Sequence, residues 1–419
     1  MADVRVTRHI RFRAMAGWMA AGVLLSAVLP VSGATAGSPK DAEFYKLQWN
    51  LKAIHAHPTF SNDAEASAEA GALVAVVDTG IDYLHPDLDG RVDLEHSTSL
   101  VKRETSCLHN GATEPGTPYR PQADGFDESA LGLDGRLSDG RLRFTDYHSH
   151  GTAVAGLISS SGELLAGVTT GTRLLAVKVH GISRQNCLSV YLAGIDYAVE
   201  QGADVIHLSV PLEFPRSNTA AVNRVNDTLD RAHDAGATLV AAAGNGAVPQ
   251  VVGDPARSTM FRFCEGNHVI CVSATGPTSP DQVEEPFWDA SAAYTFYGPA
   301  IDVAGPGGTG LFPNQIVPVW LTCSQVGRVT AGAASACRSQ PPEEPREIWP
   351  STGTSFAAAA TSGLAALLVR LTGSNDPDRI ERLIEDSADD LGAPGFDEYF
   401  GEGRINVKHA VKAVAPRAP

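Results

Sequence analysis

Apolar residues in this 419-residue chain form short continuous runs that alternate with longer segments of helical periodicity. Six runs are continuously apolar rather than alternating with polar residues, which indicates strands of a sheet covered on both faces. The alternation of strands and helices favours a mainly parallel, doubly wound sheet, so a three-layer α/β/α fold is predicted. The predicted strands cover residues 73–77, 174–179, 204–210, 238–243, 269–274 and 301–304.

Helix-length segments separate these runs. The predicted helices cover residues 151–159, 189–202, 219–235, 356–371 and 376 to about 390. The last begins at Asp376-Pro377, a capping side chain followed by a proline in the first turn, which is a typical signal for the start of a helix.

Two long segments, 101–145 and 306–350, interrupt the alternation and are predicted to be irregular loops. The first has the acidic composition of a calcium loop but no recognisable ligand spacing, so no cofactor is predicted and structural calcium stays an open alternative. The acidic residues in question are Asp124, Asp127, Glu128, Asp134 and Asp139.

The first 36 residues have the composition of an export signal. A head with four arginines precedes an apolar stretch over residues 14–31, and Ala34-Thr35-Ala36 offers a small-x-small cleavage site. A retained membrane anchor is the alternative interpretation, because the stretch is near the lower length limit for spanning. We therefore expect a signal peptide over 1–36 and a single mature domain over 37–419, secreted to the extracellular space or the periplasm.

Charge and cysteine content narrow the class further. A net charge of −16 argues against nucleic acid or an anionic membrane surface as the partner. An even number of cysteines in an exported chain indicates disulfides. Proximity along the sequence favours Cys264 with Cys271 and Cys323 with Cys337, which leaves Cys107 for Cys187.

Four short motifs place reactive side chains next to predicted strands or helices. Asp78 ends the first apolar run, at the sheet edge where α/β folds bind ligands. His150 opens a helix of small residues that would let it lie close to a neighbour, with His148 as the competing candidate. Ser355 begins an alanine-rich helix, where unpaired N–H groups favour a developing anion. Asn245 follows another apolar run and offers an amide donor for such an anion.

Taken singly, these motifs also fit ordinary turn and helix-start residues. The chain order Asp, His, Ser is nevertheless one of the known orders of a hydrolytic triad. Together the motifs resemble the subtilisin-like serine proteases (subtilases), and the resemblance covers nearly all of residues 37–419 apart from the two long loops. The motifs that carry it are Val74-Ala-Val-Val-Asp-Thr-Gly-Ile-Asp, His150-Gly-Thr-Ala-Val-Ala-Gly, Ala242-Ala-Gly-Asn and Gly353-Thr-Ser-Phe-Ala.

The resemblance implies a serine endopeptidase that hydrolyses peptide bonds through an acyl-enzyme. It implies Ser355 as nucleophile, His150 as base, Asp78 as the acid that orients it, and Asn245 as an oxyanion donor. It also implies that a peptide binds as an added strand between two segments. Those segments contain Arg184, Gln185 and Asn186 on one side and Ser209, Val210 and Pro211 on the other. We expect a monomer that acts on proteins or peptides, with no bound metal.

One departure from the family pattern affects specificity. Pro211 stands where relatives usually have glycine, and proline cannot donate a ladder hydrogen bond. This predicts a narrower cleft than in a broad digestive subtilase. Two alternatives remain: a dedicated processing protease of narrow specificity, and a groove-blocked, catalytically weak peptide-binding protein.

Overall fold

The computed structural model divides into two compact units, Met1–Thr35 and Ala36–Pro419, and every residue it describes belongs to the second. The described residues are 42–56, 71–101, 106–109, 112–115, 127, 129–132, 134–181, 187–210, 212–278, 287–311, 315–326 and 347–415. The predicted signal peptide, residues 1–36, therefore lies outside them.

An eight-stranded, mainly parallel sheet forms the centre of the described fold. Its strands are β1 (Leu73–Asp78), β2 (Thr98–Ser99), β5 (Arg173–Lys178), β6 (Val205–Leu208), β8 (Thr238–Ala242), β10 (Val269–Gly276), β11 (Ala290–Ser291) and β12 (Val303–Pro306). The order runs β2-β5-β1-β6-β8-β10, and β10 then pairs with β12 in parallel and with β11 antiparallel. The predicted doubly wound parallel sheet is confirmed.

Seven α-helices are described. They are α1 (Trp49–Ala53), α2 (His150–Ile158), α3 (Leu188–Glu200), α4 (Thr219–Asp234), α5 (Thr354–Thr372), α6 (Pro377–Glu385) and α7 (Val407–Val414). Short 3-10 turns cover Tyr45–Leu47, Pro86–Leu88 and Phe263–Glu265. Helix α6 begins where predicted, with the Asp376 side chain accepting from the N–H of Arg379, but it ends five residues early.

Burial explains the continuously apolar strands. All six residues of β1 are buried, and their side chains alternate between two separate hydrophobic clusters. Val74 and Val76 pack in the cluster that contains α2 and α5, whereas Ala75 and Val77 pack in the cluster that contains α3 and α4. Since each face of the sheet is covered by helices, neither face selects polar residues, and the three-layer prediction is confirmed.

Helix α5 lies at the heart of one layer. It is long and apolar enough to cross a membrane, but 89% of its most apolar window is buried within the fold. It is therefore a core helix of the fold, and Ser355 lies in its first turn.

The two long segments predicted as irregular contain paired strands. The first holds the hairpin β3 (Ser106–His109) and β4 (Ala112–Pro115). The second holds β13 (Thr309–Leu311) paired with β14 (Gln315–Val317), and β15 (Val319–Thr322) paired with β16 (Ile348–Ser351). A further pair joins β7 (Phe214–Pro215) to β9 (Met260–Phe261). These strands are short and their pairing partners are set by tertiary contact, so periodicity gave no signal for them.

Candidate active site

Four separate elements bring the predicted reactive side chains to one cleft at the carboxyl edge of the sheet. Asp78 ends β1, His150 begins α2, Asn245 follows β8, and Ser355 lies in the first turn of α5. All four line a single cavity of about 320 Å³, which we call the cleft. Its other lining residues are Thr79, His148, His180, Ser209, Val210, Ala242, Gly244 and Thr354.

The cleft holds a buried carboxylate in contact with an imidazole. His150 Nδ1 lies 2.8 and 3.0 Å from the two carboxylate oxygens of Asp78, which is 1% exposed. The N–H of Thr79 donates to this carboxylate at 2.7 Å, and the Ser209 hydroxyl donates to it at 3.0 Å. Because an ionised carboxylate can only accept, Nδ1 of His150 carries the proton and Nε2 presents its lone pair.

The electrostatics keep Asp78 ionised. Burial alone would raise its pKa, but the charge and hydrogen bond of His150, the Thr79 N–H and the nearby His207 together hold the pKa of Asp78 well below its ordinary value. The carboxylate therefore stays negative throughout the pH range in which His150 could act as a base.

Ser355 places its hydroxyl at the start of a helix that opens on the cleft. It is the second residue of α5 and is 6% exposed at the cleft. Its backbone N–H belongs to the first helical turn, where N–H groups have no acceptor within the helix and the helix dipole is positive. The Phe356 ring lies 6.0 Å from the His150 ring, so the same turn also packs against the base.

The side chain of Asn245 is oriented by the residue before Ser355. Its Oδ1 accepts from the Thr354 N–H at 2.9 Å and from the Thr354 hydroxyl at 3.1 Å. Since a backbone N–H can only donate, the atom facing it must be the amide oxygen. The Asn245 amide therefore presents Nδ2 as a donor in the cleft that also contains Ser355.

The start of α2 is held by a residue that sequence reasoning missed. Asp146 is fully buried, and its carboxylate accepts from the N–H groups of His148, Ser149 and Thr152 and from the Thr152 hydroxyl, at 2.7–2.9 Å. These four bonds fix the turn that precedes His150. Asp146 lies four residues before the first residue of α2, whereas a capping side chain is recognised directly before a helix, so no local sequence signal pointed to it.

His148, the competing candidate, does not take the place of His150. It is half-buried on the wall of the cleft, and its ring centre lies 6.4 Å from that of His150. Of the two rings, His150 is the one with a described hydrogen bond to the Asp78 carboxylate.

A second cavity of about 320 Å³, which we call the side pocket, adjoins the cleft. The two cavities share Val210, Ala242, Gly244 and Asn245 as lining residues. The side pocket combines apolar and polar walls, and it contains the buried Arg262, which donates to Glu213 at 2.5 Å and to Gln250 at 2.6 Å.

The predicted substrate-flanking residues are described only in part. Ser209 and Val210 line the cleft, and Val210 also lines the side pocket. Arg184, Gln185, Asn186 and Pro211 lie outside the described residues.

The structure joins Cys264 to Cys271 through a disulfide. Cys187 and Cys323 are buried and disulfide-bonded as well. Their predicted partners, Cys107 and Cys337, have side chains outside the described part of the chain.

Two groups of potential metal ligands occur among the described residues, and neither includes a residue of the cleft. One consists of His233, His268 and Asp378, and the other of Asp302, Glu381 and Glu385. The rings of His233 and His268 are stacked 3.9 Å apart, an arrangement in which their in-plane lone pairs do not converge on one ion. The acidic calcium-like segment lies largely outside the described residues, so that alternative stays a prediction.

An α/β sheet with an Asp–His pair and a serine at a helix start, all at its carboxyl edge, defines a hydrolase of the serine type. The sequence model of the subtilase family matches residues 69–403. The chain therefore belongs to the subtilase family, and it is a serine endopeptidase whose class of substrate is protein or peptide.

Individual relatives agree with this assignment. A thermophilic serine proteinase from Bacillus sp. (strain AK1) is 29% identical over 82% of this chain, which spans 62% of that protein. Thermitase from Thermoactinomyces vulgaris is 25% identical over 90% of this chain and 99% of its own length.

Solved structures show the same fold. The epidermin leader peptide processing serine protease of Staphylococcus aureus, as an S393A mutant, superposes with a TM-score of 0.64 at 18% identity, covering 87% of this chain and 80% of that one. A lanthipeptide protease superposes with a TM-score of 0.62 at 19% identity, covering 91% of this chain and 98% of that one.

Proposed function

We propose that this protein is an exported endopeptidase in which Asp78, His150 and Ser355 form the catalytic triad and Asn245 is a side-chain oxyanion donor. The observation that carries the proposal is the bonded pair of Asp78 and His150 in one cleft with Ser355. That pair leaves Nε2 of His150 as a base, and the start of α5 supplies the hydroxyl together with a positive dipole end.

The first half of the reaction follows from these roles. Nε2 of His150 takes the proton from the Ser355 hydroxyl while Oγ forms a bond to the substrate carbonyl carbon. The carbonyl π electrons move to oxygen, and Nδ2 of Asn245 and the Ser355 N–H donate to that oxyanion. Asp78 stabilises the imidazolium that has formed but keeps its own charge.

The second half releases both products. As the tetrahedral intermediate collapses, the C–N bond breaks and the leaving amine takes the proton from His150, which leaves an acyl group on Ser355. Water then loses a proton to His150, attacks the acyl carbon and frees the carboxylic acid as the proton returns to Ser355.

We also propose that the substrate side chain before the scissile bond enters the side pocket. The pocket adjoins the cleft through residues next to Asn245, and its volume suits a medium to large side chain. Sequencing the products from a random peptide library tests this. Selection of a large, mainly apolar residue at that position supports the proposal, and uniform cleavage regardless of that residue contradicts it.

Covalent labelling tests the triad itself. The full chain is expected to react with a fluorophosphonate probe, with the adduct mapped to Ser355 by mass spectrometry. Ser355→Ala abolishes the adduct, and His150→Ala reduces it strongly because the hydroxyl loses its base. Labelling that survives Ser355→Ala, or a folded wild-type protein that neither labels nor hydrolyses casein, rules the proposal out.

Export is proposed from the amino-terminal sequence. The basic head and apolar stretch within residues 1–36 support removal of a signal peptide, which would leave residues 37–419 as the catalytic domain. Amino-terminal sequencing of protein recovered from culture medium is expected to start near Gly37. Retention in the membrane fraction with the first residues intact contradicts the export proposal.

A further inference from the structure

A histidine outside the proposed triad lies in the middle of the sheet. His207 is on β6, is 0% exposed, and is flanked in register by Val76 on β1 and Val240 on β8. An imidazole at such an apolar position is costly unless both of its nitrogens have partners. A valine or leucine there would fill the space without that requirement.

Both nitrogens of His207 are hydrogen-bonded, and one bond leads to the triad. Nε2 lies 2.8 Å from the hydroxyl of Ser209, which in turn donates to the Asp78 carboxylate at 3.0 Å. Nδ1 lies 3.0 Å from the hydroxyl of Ser362. Ser362 is on α5, two turns after Ser355.

The direction of each bond follows from the charge of Asp78. An ionised carboxylate has no proton, so the Ser209 hydroxyl must donate to it. The Ser209 oxygen then accepts from His207, which places the proton of the ring on Nε2. In a neutral ring, Nδ1 then has the lone pair and accepts from the Ser362 hydroxyl. For a neutral His207, one arrangement of protons therefore satisfies all three bonds.

We propose that His207 is a positioning residue for catalysis, a neutral imidazole whose Nε2–H orients the Ser209 hydroxyl toward Asp78 and so fixes the carboxylate that aligns His150. This inference rests on the proposed function of the triad. It also ties the helix that carries Ser355 to the carboxylate through Ser362.

The surroundings keep His207 neutral. Burial lowers the pKa of His207 to about 4, the negative charge of Asp78 on β1 opposes that shift, and His150 on α2 adds to it. These two are the titratable groups whose charge acts on the ring. The ring therefore stays neutral near pH 7, and Nε2–H of His207 continues to donate to the Ser209 hydroxyl there.

The bond from Ser209 affects both the position and the basicity of Asp78. Among the described residues, three donate to this carboxylate: Thr79 through its backbone N–H, and His150 and Ser209 through their side chains. Because His150 gains and loses a proton in the proposed reaction, Ser209 is the side-chain donor whose protonation stays the same. Without it, the carboxylate gains freedom to rotate and its negative charge is less dispersed. A less dispersed charge holds the imidazolium of His150 more tightly, which raises the pH at which His150 loses its proton.

The test compares variants that keep or remove the donor to Ser209. His207→Leu and Ser209→Ala are each expected to lower kcat about tenfold or more, with KM nearly unchanged, as expected for a lost hydrogen bond to a charged group. Both should shift the acidic limb of the kcat/KM profile to higher pH. His207→Gln keeps an N–H near Nε2 and is expected to recover most of the loss seen with leucine.

Coupling shows whether the two residues act in series. The double variant His207→Leu with Ser209→Ala is expected to be no slower than Ser209→Ala alone, because the bond to Asp78 is already lost. Val240→Ala serves as the packing control: it should lower Tm without moving the acidic limb. The inference is overturned if His207→Leu has the same kcat per probe-labelled site as wild type and the acidic limb of its kcat/KM profile lies at the same pH.

NMR tests the proposed tautomer of His207 in protein that has no activity. In Ser355→Ala protein with ¹⁵N-labelled histidine, NMR is expected to show His207 as the Nε2–H tautomer, without titration between pH 5.5 and 8. A titrating ring or the Nδ1–H tautomer overturns the inference even if the enzyme is active. Failure of the proposed function would instead appear as an unlabelled Ser355 in wild-type protein, whatever the tautomer.

Discussion

At the scale of single residues, the site depends on one buried charge and on donors with fixed directions. Asp78 is held ionised because His150, Thr79 and Ser209 donate to it, although burial alone would favour its neutral form. Asn245 is oriented in the same way, since Thr354 occupies its amide oxygen. Preorganised donors of this kind act on charge that develops in the transition state.

Asn245→Ala should therefore slow the chemical step more than it weakens binding. We expect kcat to fall about 10²–10³-fold with KM changed little, because loss of one oxyanion donor has about that effect. Steady-state kinetics with a chromogenic peptide measure both constants. Labelling by the fluorophosphonate probe should continue in the variant, since Ser355 and His150 remain. An Asn245→Ala enzyme with wild-type kcat would show that this amide does not contact the oxyanion.

At the scale of elements, the close approach of two backbones places His150 beside the Asp78 carboxylate. A Cβ built on Gly151 in α2 would lie 2.1 Å from the carbonyl oxygen of Gly80, in the turn after β1. Gly80 itself has φ = +102°, a conformation that favours glycine. The small residues at the start of α2 thus let the helix reach the end of β1, as the sequence led us to expect.

Gly151→Ala tests this contact. The added methyl must push α2 away from the turn after β1, and a displacement of about 1 Å costs roughly 10²-fold in rate. Helix propensity alone would make alanine stabilising by about 1 kcal/mol, so the two effects have opposite signs. Ala153→Gly, on the same helix, is the control for propensity. Equal or higher kcat/KM and Tm in Gly151→Ala would show that the contact is not limiting.

Helix α6 packs three carboxylates together at its junction with the sheet. Oxygens of Asp302, just before β12, and of Glu381 and Glu385 lie within 4.8 Å of one another. Burial, with smaller contributions from neighbouring carboxylates, raises the pKa of Asp302 to about 8 and that of Glu385 to about 7. Each group binds its proton more tightly folded than unfolded, so its stabilising effect is complete below pH 4 and is lost as pH rises toward 8.

Glu385→Gln should consequently stabilise the protein in mildly alkaline solution. At pH 8 the variant lacks one of the repelling charges, so its Tm is expected to exceed that of wild type by a few degrees. At pH 5, where the native glutamic acid is protonated, the difference should nearly vanish. Thermal unfolding, monitored by circular dichroism at both pH values, measures this difference in Tm. A Tm difference that is the same at both pH values would contradict the raised pKa.

At the scale of the whole molecule, the net negative charge is expected to affect the rate at which charged substrates reach the cleft. A net charge of −16 produces a negative field that extends about one Debye length, or about 10 Å at 0.1 M salt. Such a field favours the approach of cationic peptides and opposes anionic ones, without changing the chemistry of the triad.

Salt should therefore affect two matched peptides in opposite directions. Take two substrates with the same residues around the cut and either three lysines or three glutamates at a distant end. Raising ionic strength from 0.02 to 0.5 M is expected to lower kcat/KM severalfold for the lysine peptide and to raise it for the glutamate peptide. Parallel changes for both peptides would indicate a general salt effect on the enzyme.

The sequence by itself determined the layers of the fold and the residues with reactive chemistry. Continuous apolar runs of strand length indicate burial on both faces, so the parallel sheet could be predicted from the six runs and the helix-length segments between them. The ends of these elements carry local signals as well, such as the small residues after His150 and the Gly-Thr turn before Ser355. Local steric and hydrogen-bonding preferences depend on neighbouring residues, so they can be recognised from a sequence pattern.

Only the tertiary structure decided which distant groups meet and in what protonation state. His207 lies far along the chain from both Asp78 and Ser362, and a polar residue in an apolar strand gives no hint of its partners. The tautomer of His207 follows from a bond to Ser209 that exists because Asp78 is buried and ionised. Hydrogen bonds and charges act over a few ångströms of space, and folding alone brings residues 78, 207 and 362 within that range.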